Sequence, residues 1–407
     1  MNAVTGKILF VNLTTKEIKE EKIDEIVYKS FLSGLGLGAY ILHNRIPKNA
    51  DPLGPDNVLG FVSGLLTGTG SLVTGRWLAV GKSPLTGGWG DSNCGGTFSP
   101  AIKKCGYDGI FFQGISKSPV YLYVNDNGAE LLDANDYWGK ADAIETEELL
   151  IEKHKGTGKP VVAALGAAGE NISLISGIVN DKGRIAARSG LGAVMGSKNL
   201  KAVVLAGTMK IYVHDPAEMK KITAEYADKV RKVNLPKIVK GFMLPIMGKV
   251  MAAPKKRTPL DGLLAASIFK KWGTIFCNTY GLNGDLPVKN WGASVKHFAK
   301  KAKKTNPDYM LKREDKKYRC SSCNIGCGGM GAIDDIRDGK YKESHKPEYE
   351  TVAAFGSMLL NNDLDPISYV NEMLNRAGMD SLSAGYTVAF AMECFEQVVS
   401  TKEETNG

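Results

Sequence analysis

Short apolar, β-branched runs separated by turn residues recur through the first half of the chain. They fall at 6–13, 57–63, 76–80, 109–113, 120–124, 160–164 and 202–206, and they predict strands. Thr14, Thr15 and Lys16 turn the first of these into a polar partner over 17–23. The period changes to that of a helix twice in this half. It does so over 28–44, where Leu32, Leu35, Ile41 and Leu42 recur at helical spacing, and over 141–154. From about residue 211 the helical period takes over. Asp215-Pro216 reads as an N-cap followed by proline at the first helical position, ahead of Met219, Ile222, Tyr226 and Val230. Asp365-Pro366 repeats the signal before Ile367, Val370, Met373 and Leu374, and Gly378 supplies the stop. A last helix over about 383–398 carries Val388, Met392 and Phe395. The pattern predicts an α+β protein, with a β-sheet-rich base domain over 1–210 and a mostly helical domain over 211–407. No repeat or low-complexity segment appears.

Composition narrows the class. Hydrophobic residues at 43% and charged residues at 23% are ordinary for a globular protein, and 407 residues suggest two or three domains. No apolar run is long enough to span a bilayer, and Met1-Asn-Ala-Val-Thr-Gly-Lys-Ile lacks the features of a signal peptide. Seven cysteines, three of them in one motif, argue against a secreted disulfide framework and for the reducing cytoplasm. The net charge of +9 is concentrated. Residues 229–271 hold eleven Lys or Arg against one acid, Asp261, and include the triplet Lys255-Lys256-Arg257. This stretch reads as a solvated basic face, or as a surface for an acidic protein, an anionic lipid or the phosphates of a coenzyme A substrate. Without an aromatic-interleaved groove, finger or recognition helix, nucleic acid is disfavoured.

The chemistry concentrates at Cys320-Ser-Ser-Cys323-Asn-Ile-Gly-Cys327. Three thiolates at C-x2-C-x3-C on a glycine-containing loop suit a [4Fe–4S] cluster. Zinc needs a fourth ligand from a second cysteine or histidine pair, and His345 stands alone. Unligated thiols are the third reading. Three glycine-rich connections, 64–75, 87–96 and 183–196, expose successive backbone N–H groups of the kind that hold phosphates. Gly190-x-Gly192-x-x-x-Gly196 is not a dinucleotide fingerprint. Arginines on two of these loops, Arg76 and then Arg184 with Arg188, point to one large polyanionic ligand gripped at several places.

With these pieces the sequence resembles the tungsten-dependent aldehyde ferredoxin oxidoreductase family. The resemblance runs through Gly6-Lys-Ile-Leu-Phe-Val-Asn-Leu, Lys82-Ser-Pro-Leu-Thr-Gly, Gly192-Ala-Val-Met-Gly-Ser-Lys-Asn-Leu-Lys201, the cysteine motif and Pro347-Glu-Tyr-Glu350. It implies a β-sheet base carrying a tungsten (or molybdenum) bis-pterin and a nearby [4Fe–4S] cluster. Cys320, Cys323 and Cys327 would be three cluster ligands. Arg76 would lie between cluster and pterin, or else form an ordinary surface ion pair. Asn93 would offer its carbonyl to a magnesium bridging the pterin phosphates, with Gly95, Gly96 and Arg184 beside it. Glu350 would be the active-site glutamate, a carboxylate partly desolvated by Tyr349 whose raised pKa lets it move protons near neutrality. Read without the resemblance, Glu350 is an exposed acid at a helix start.

The family's first pterin motif, Asp-x-x-Gly-Leu-Asp, reads here Asn375-Arg-Ala-Gly378-Met379-Asp380, so Asn375 keeps an acceptor but loses the charge. The fourth cluster cysteine, a second pterin motif and an active-site histidine belong in the family to a third domain beyond residue 407, so the resemblance implies a fragment or one half of a split enzyme. Cys277 falls where the family lines its substrate cavity. In the related class II benzoyl-CoA reductases a cysteine ligates tungsten, and a buried inert thiol is the other reading. The implied reaction is oxidation of an aldehyde to a carboxylic acid, with electrons passed to ferredoxin or an iron–sulfur partner subunit. The alternatives are reduction of an aryl-CoA thioester and a non-catalytic electron-transfer or assembly subunit.

Overall fold

The computed structural model describes residues 2–156, 158–252, 261–333, 336, 339–401 and 403–404. The Lys255-Lys256-Arg257 triplet lies outside the described residues. The fold is α+β, rich in sheet early and in helix late. Two units separate: one takes Met1–Tyr226, Cys320–Cys323 and Leu374–Asp380, the other Ala227–Arg319, Asn324–Met373 and Ser381–Gly407.

The first unit contains two six-stranded sheets. One is built from β1 (Lys7–Asn12), β2 (Ile18–Lys22), β3 (Leu59–Ser63), β4 (Trp77–Lys82), β5 (Trp89–Cys94) and β6 (Gly109–Gln113), in the order β2-β1-β6-β3-β4-β5. The other uses β7 (Val120–Asn125), β8 (Gly128–Asp133), β9 (Val161–Ala164), β10 (Ile178–Asn180), β11 (Arg184–Ala186) and β12 (Leu200–Leu205), in the order β8-β7-β12-β9-β10-β11. The second sheet follows the path of the first, strand for strand. Each has one parallel pair, β1 with β6 and β7 with β12, and antiparallel pairing elsewhere. The sequence shows no repeat because a strand path is set by the pattern of apolar and turn residues, which many different residues satisfy.

Most of these strands are buried on both faces, which is why they read as nearly continuous apolar runs. Along β1, Leu9 and Val11 enter one core while Ile8 and Phe10 enter another. The shared core joins the two sheets through Phe61, Trp77, Leu122 and Val203, and it takes in Phe98 and Ile102 from the helix Phe98–Lys104 and Leu191 and Val194 from the helix Leu191–Ser197. Helices Glu25–Phe31 and Leu35–Arg45 cover the outer face of one sheet, and Ala143–Lys153 covers the other. The last of these is closed by a capping box, Asp142 with Glu145.

Several elements differ from the sequence reading. The helix expected over 28–44 is two, broken where Leu32 and Gly34 take positive φ of 61° and 60°. The stretch 87–96 is largely the edge strand β5, and 183–196 contains β11 and the start of the helix Leu191–Ser197. Glycine misled there because it serves close packing. A Cβ on Gly192 would meet the backbone of Ser176 and Gly177 at 2.6–2.7 Å, and one on Gly196 would run into Gly169. The helix Pro216–Lys232 begins as expected, with Asp215 Oδ1 accepting from Glu218 N at 2.9 Å, but none of its residues is buried. Its apolar periodicity faces solvent.

In the second unit, Asp261 caps the helix Gly262–Trp272 by accepting from Leu263 N and Leu264 N, each at 3.0 Å. Trp272 is fully buried with Leu244, Ile268, Ile275 and Val352, and its indole donates to Asp308 Oδ1 at 2.9 Å. A small antiparallel sheet of β13 (Lys316–Tyr318), β14 (Gly328–Ala332) and β15 (Glu343–His345) carries the end of the cysteine motif. The helices Leu364–Ala377 and Ser381–Glu396 match the expected pair, and Gly378 ends the first at φ +67°. Among the described residues no helix is long and apolar enough to cross a membrane.

Trp77 is fully buried between the sheets, yet its indole N–H has no partner among the described residues. Trp77→Ala is expected to cost about 3–5 kcal/mol through cavity formation. Trp77→Phe should cost less than half of that, because it also removes an unsatisfied donor. Urea unfolding followed by tryptophan fluorescence and circular dichroism checks both.

Candidate functional site

The pairing of β4 with β5 sets Trp77 opposite Cys94, so Arg76 and Gly95 leave the sheet side by side. Arg76 folds onto Asn93: its Nε donates to the Asn93 side chain and its Nη2 to the Asn93 carbonyl at 2.9 Å. That carbonyl is the one the resemblance gives to magnesium, and here a guanidinium already uses it. Gly95 opens a notch. A Cβ there would lie 2.6 Å from Cys320 Sγ and 2.8 Å from Arg184 Nη1. Gly96, at φ +106°, has no room for a side chain beside Asp181 and Asn180. Into this notch comes the start of the cysteine motif, with Ser321 N donating to Gly96 O at 3.1 Å and Val73 N to Ser322 O at 2.9 Å. Arg184 Nη1 donates to Cys320 Sγ at 3.1 Å. The arginine on the cysteine is therefore Arg184, with Arg76 turned to Asn93.

Two residues of this site were missed from the sequence. Asp181 accepts from Thr97 N and from Thr97 Oγ1, both at 2.6 Å. Asn180 Nδ2 donates to Gly95 O at 3.2 Å and to Asp181 Oδ2 at 2.8 Å, and its Oδ1 accepts from Cys94 Sγ at 3.1 Å. Burial pushes the Cys94 thiol up to about 12, so it remains a protonated donor. The signal that was available is the turn composition of Asn180-Asp-Lys-Gly183, immediately before the loop that drew attention.

A second group forms around the segment Asn375–Asp380. Asn375 is buried in the last turn of Leu364–Ala377. The carbonyl of Gly378 accepts from Gly177 N at 2.8 Å, and Asp380 N donates to Ile175 O at 2.9 Å, so the motif lies alongside 175–177. Buried Asp380 faces Arg188 Nε at 3.3 Å, and Arg188 N donates to Ser92 Oγ at 3.1 Å, next to Asn93.

Cys327, Cys277 and Glu350 belong to the second unit. Glu350 is the second residue of the helix Tyr349–Phe355 and is exposed, where the sequence reading expected partial desolvation. In its first turn Glu350 is exposed and Tyr349 half-buried, while Thr351, Val352, Ala353 and Ala354 are buried. Burial first, then the carboxylates of Glu350 and Glu348, push the Cys277 thiol up to about 11. Burial and the neighbouring Cys277 are the leading causes that raise Tyr349 to about 12. These groups form one electrostatic cluster. A cavity of about 410 Å³ in the same unit, lined in part by Arg313, Glu314, His345 and Lys346, includes none of the predicted residues.

Among the described residues there is no disulfide, so all seven cysteines are thiols. Nor, among the described residues, do three Cys, His, Asp or Glu side chains converge as the ligands of a single ion. Thiols on a loop turned by Ser322 (φ +55°) and Gly326 (φ +65°), with a guanidinium on Cys320 and a side-chain-free notch at Gly95, fit a cluster beside an anionic cofactor.

Comparison with known proteins gives the family of this fold. The pattern described as aldehyde ferredoxin oxidoreductase, N-terminal domain, matches residues 8–207, and that described as domains 2 & 3 of the same protein matches 255–407. The chain belongs to the aldehyde ferredoxin oxidoreductase family. It is 36% identical over 395 residues to a tungsten-containing aldehyde ferredoxin oxidoreductase of Pyrococcus furiosus, covering 96% of this chain and 59% of that protein. It is 30% identical over 424 residues to the WOR-like subunit of an aliphatic sulfonate oxidoreductase of the same organism, covering 99% and 61%. The structure resembles the active-site complex BamBC of benzoyl coenzyme A reductase in complex with 1,5-dienoyl-CoA, with a TM-score of 0.77 and 27% identity over 99% of this chain and 57% of that one. The chain thus spans about three-fifths of the length of the curated relatives it matches.

Gly95→Ala is expected to drive Cys320 and Arg184 out of the notch while leaving the buried sheets intact. Iron bound per chain should fall well below the wild-type value with an unchanged far-ultraviolet circular dichroism spectrum, both measured on anaerobically purified protein.

Proposed function

We propose that this chain is the cofactor-bearing part of a cytoplasmic tungsten (or molybdenum) bis-pterin oxidoreductase that oxidises an aldehyde to a carboxylic acid, with ferredoxin or an iron–sulfur partner subunit as electron acceptor. The observation that carries the reading is the Arg184 guanidinium on Cys320 Sγ in the notch that Gly95 leaves open. When bound, the metal–pterin centre supplies two-electron chemistry at the substrate and the cluster supplies one-electron transfer to the acceptor.

The chain's own residues divide the remaining work. Cys320, Cys323 and Cys327 would hold the cluster. Arg184 donates to one of its thiolates, which favours the more electron-rich state. Gly95, Gly96 and Arg76 offer unhindered backbone and positive charge to the pterin phosphates, and a magnesium at Asn93 would have to share its carbonyl with Arg76. Asn375, Gly378 and Asp380 would meet the first pterin, with Asp380 facing Arg188. Glu350, exposed and close enough to Cys277 to act on its thiol electrostatically, accepts or releases the proton that accompanies aldehyde oxidation at its carboxylate.

Reduction of an aryl-CoA thioester is the second reading. It is favoured by the likeness to the benzoyl coenzyme A reductase complex and by a half-buried cysteine at position 277 beside Glu350.

Anaerobically purified protein is expected to contain iron and tungsten, with an electron paramagnetic resonance signal on reduction that Cys323→Ser removes. Stoichiometric zinc without iron would sink the proposal. Glu350→Gln should keep the metal content and lower aldehyde turnover by about 10²-fold or more, the usual loss for a general acid–base group. Cys277→Ala separates the two readings: it should leave aldehyde turnover in place, and a selective loss of aryl-CoA reduction would move the second reading to first.

A further inference from the structure

Arg184 reaches Cys320 from a turn that is costly to form. Between β10 and β11, Asp181 and Lys182 both take left-handed backbone conformations, φ 47° and 59°, and Gly183 follows at φ 135°. Consecutive non-glycine residues in that region persist only where their surroundings hold them. Two acidic side chains hold this turn. Asp181 is anchored on Thr97 by both its oxygens, which ties the turn to the Gly95-Gly96 corner of the other sheet. Glu147, from the helix Ala143–Lys153, reaches under the turn and accepts from Lys182 N at 2.8 Å. Glu147 is 4% exposed, and nothing in the aldehyde reaction uses it. A carboxyl group is expensive to bury, and this one meets the backbone N–H of a strained residue two positions before Arg184.

We propose that Glu147 and Asp181 are positioning residues that clamp the β10–β11 turn, hold the Arg184 guanidinium on Cys320 Sγ, and so raise the reduction potential of the cluster that Cys320 ligates. The inference rests on the cluster reading above. A cation donating to a cluster thiolate stabilises the reduced state, which carries one more electron. Releasing the turn withdraws the cation and lowers the potential. The sign separates this role from a simpler one. Were Asp181 only a negative charge near the cluster, its removal would raise the potential.

The test is a midpoint-potential titration, followed by electron paramagnetic resonance, on cluster-containing protein. Asp181→Ala and Glu147→Leu should each shift the reduction equilibrium roughly tenfold toward the oxidised state, about 59 mV lower for a one-electron couple. Glu147→Gln, which keeps an oxygen for Lys182 N, should restore the wild-type value. In an Arg184→Ala background neither substitution should shift it further, since both act through that side chain. A higher potential in Asp181→Ala, or equal shifts with and without Arg184, overturns the clamp. Amide hydrogen exchange on the full chain without a cluster gives an independent reading. Exchange over 181–184 should quicken in Glu147→Leu and not in Glu147→Gln, and unchanged exchange in the leucine variant also overturns it. A wild-type protein that takes up no iron fails the cluster reading alone and leaves the exchange result to judge the clamp.

Discussion

The close approach of two short helices to two sheets is the constraint on which the first unit depends. Phe98–Lys104 and Leu191–Ser197 lie in the core shared by both sheets, so each sheet must be apolar on its inner face as well as under its outer helices. Glycine lets the second helix pack as closely on its other neighbours, at Gly192 against Ser176 and Gly177 and at Gly196 against Gly169 of the helix Ala167–Glu170. Close packing of this kind leaves little slack. The loops that emerge from it, at Gly95-Gly96 and at 181–184, are consequently held in register with each other.

The candidate site forms where the edges β5 and β11 meet. Arg188 N to Ser92 Oγ and Ser189 Oγ to Asp91 O at 2.9 Å join the two edges, and Asp181 on Thr97 joins them again further along. Edge strands usually need protection from further pairing. Here each protects the other, and the corner left over is lined by backbone and by arginine. Polyanions suit such a corner: it supplies N–H groups, positive charge and space, with few side chains to displace.

Much of this was legible in the sequence. The strands with two apolar faces, the polar partner over 17–23, the late pair of helices and the Gly378 stop follow from pattern and turn chemistry. The cysteine motif was legible by its spacing, and the stretch Asn375–Asp380 was singled out by the family resemblance alone. Short or polar strands such as β10, β11 and β5 were not, because three to six residues carry too little periodicity and glycine in them reads as loop. Helix Pro216–Lys232 shows the converse, a clear apolar period with no burial. Asn180, Asp181 and Glu147 were missed for a different reason. Each acts through hydrogen bonds to residues brought near by topology, and no local spacing encodes those partners.

The repeated strand path has an architectural consequence. In each half the chain leaves an edge strand, turns through left-handed residues and enters a buried helix. The turn holds Gly96 at φ +106° in the first half, and Ser189 and Gly190 at φ 68° and 67° in the second. Two like corners on adjoining edges thus repeat one backbone device in both halves. Only the first corner received the cysteine loop. A scaffold of near-equal halves thereby acquires two unlike ends.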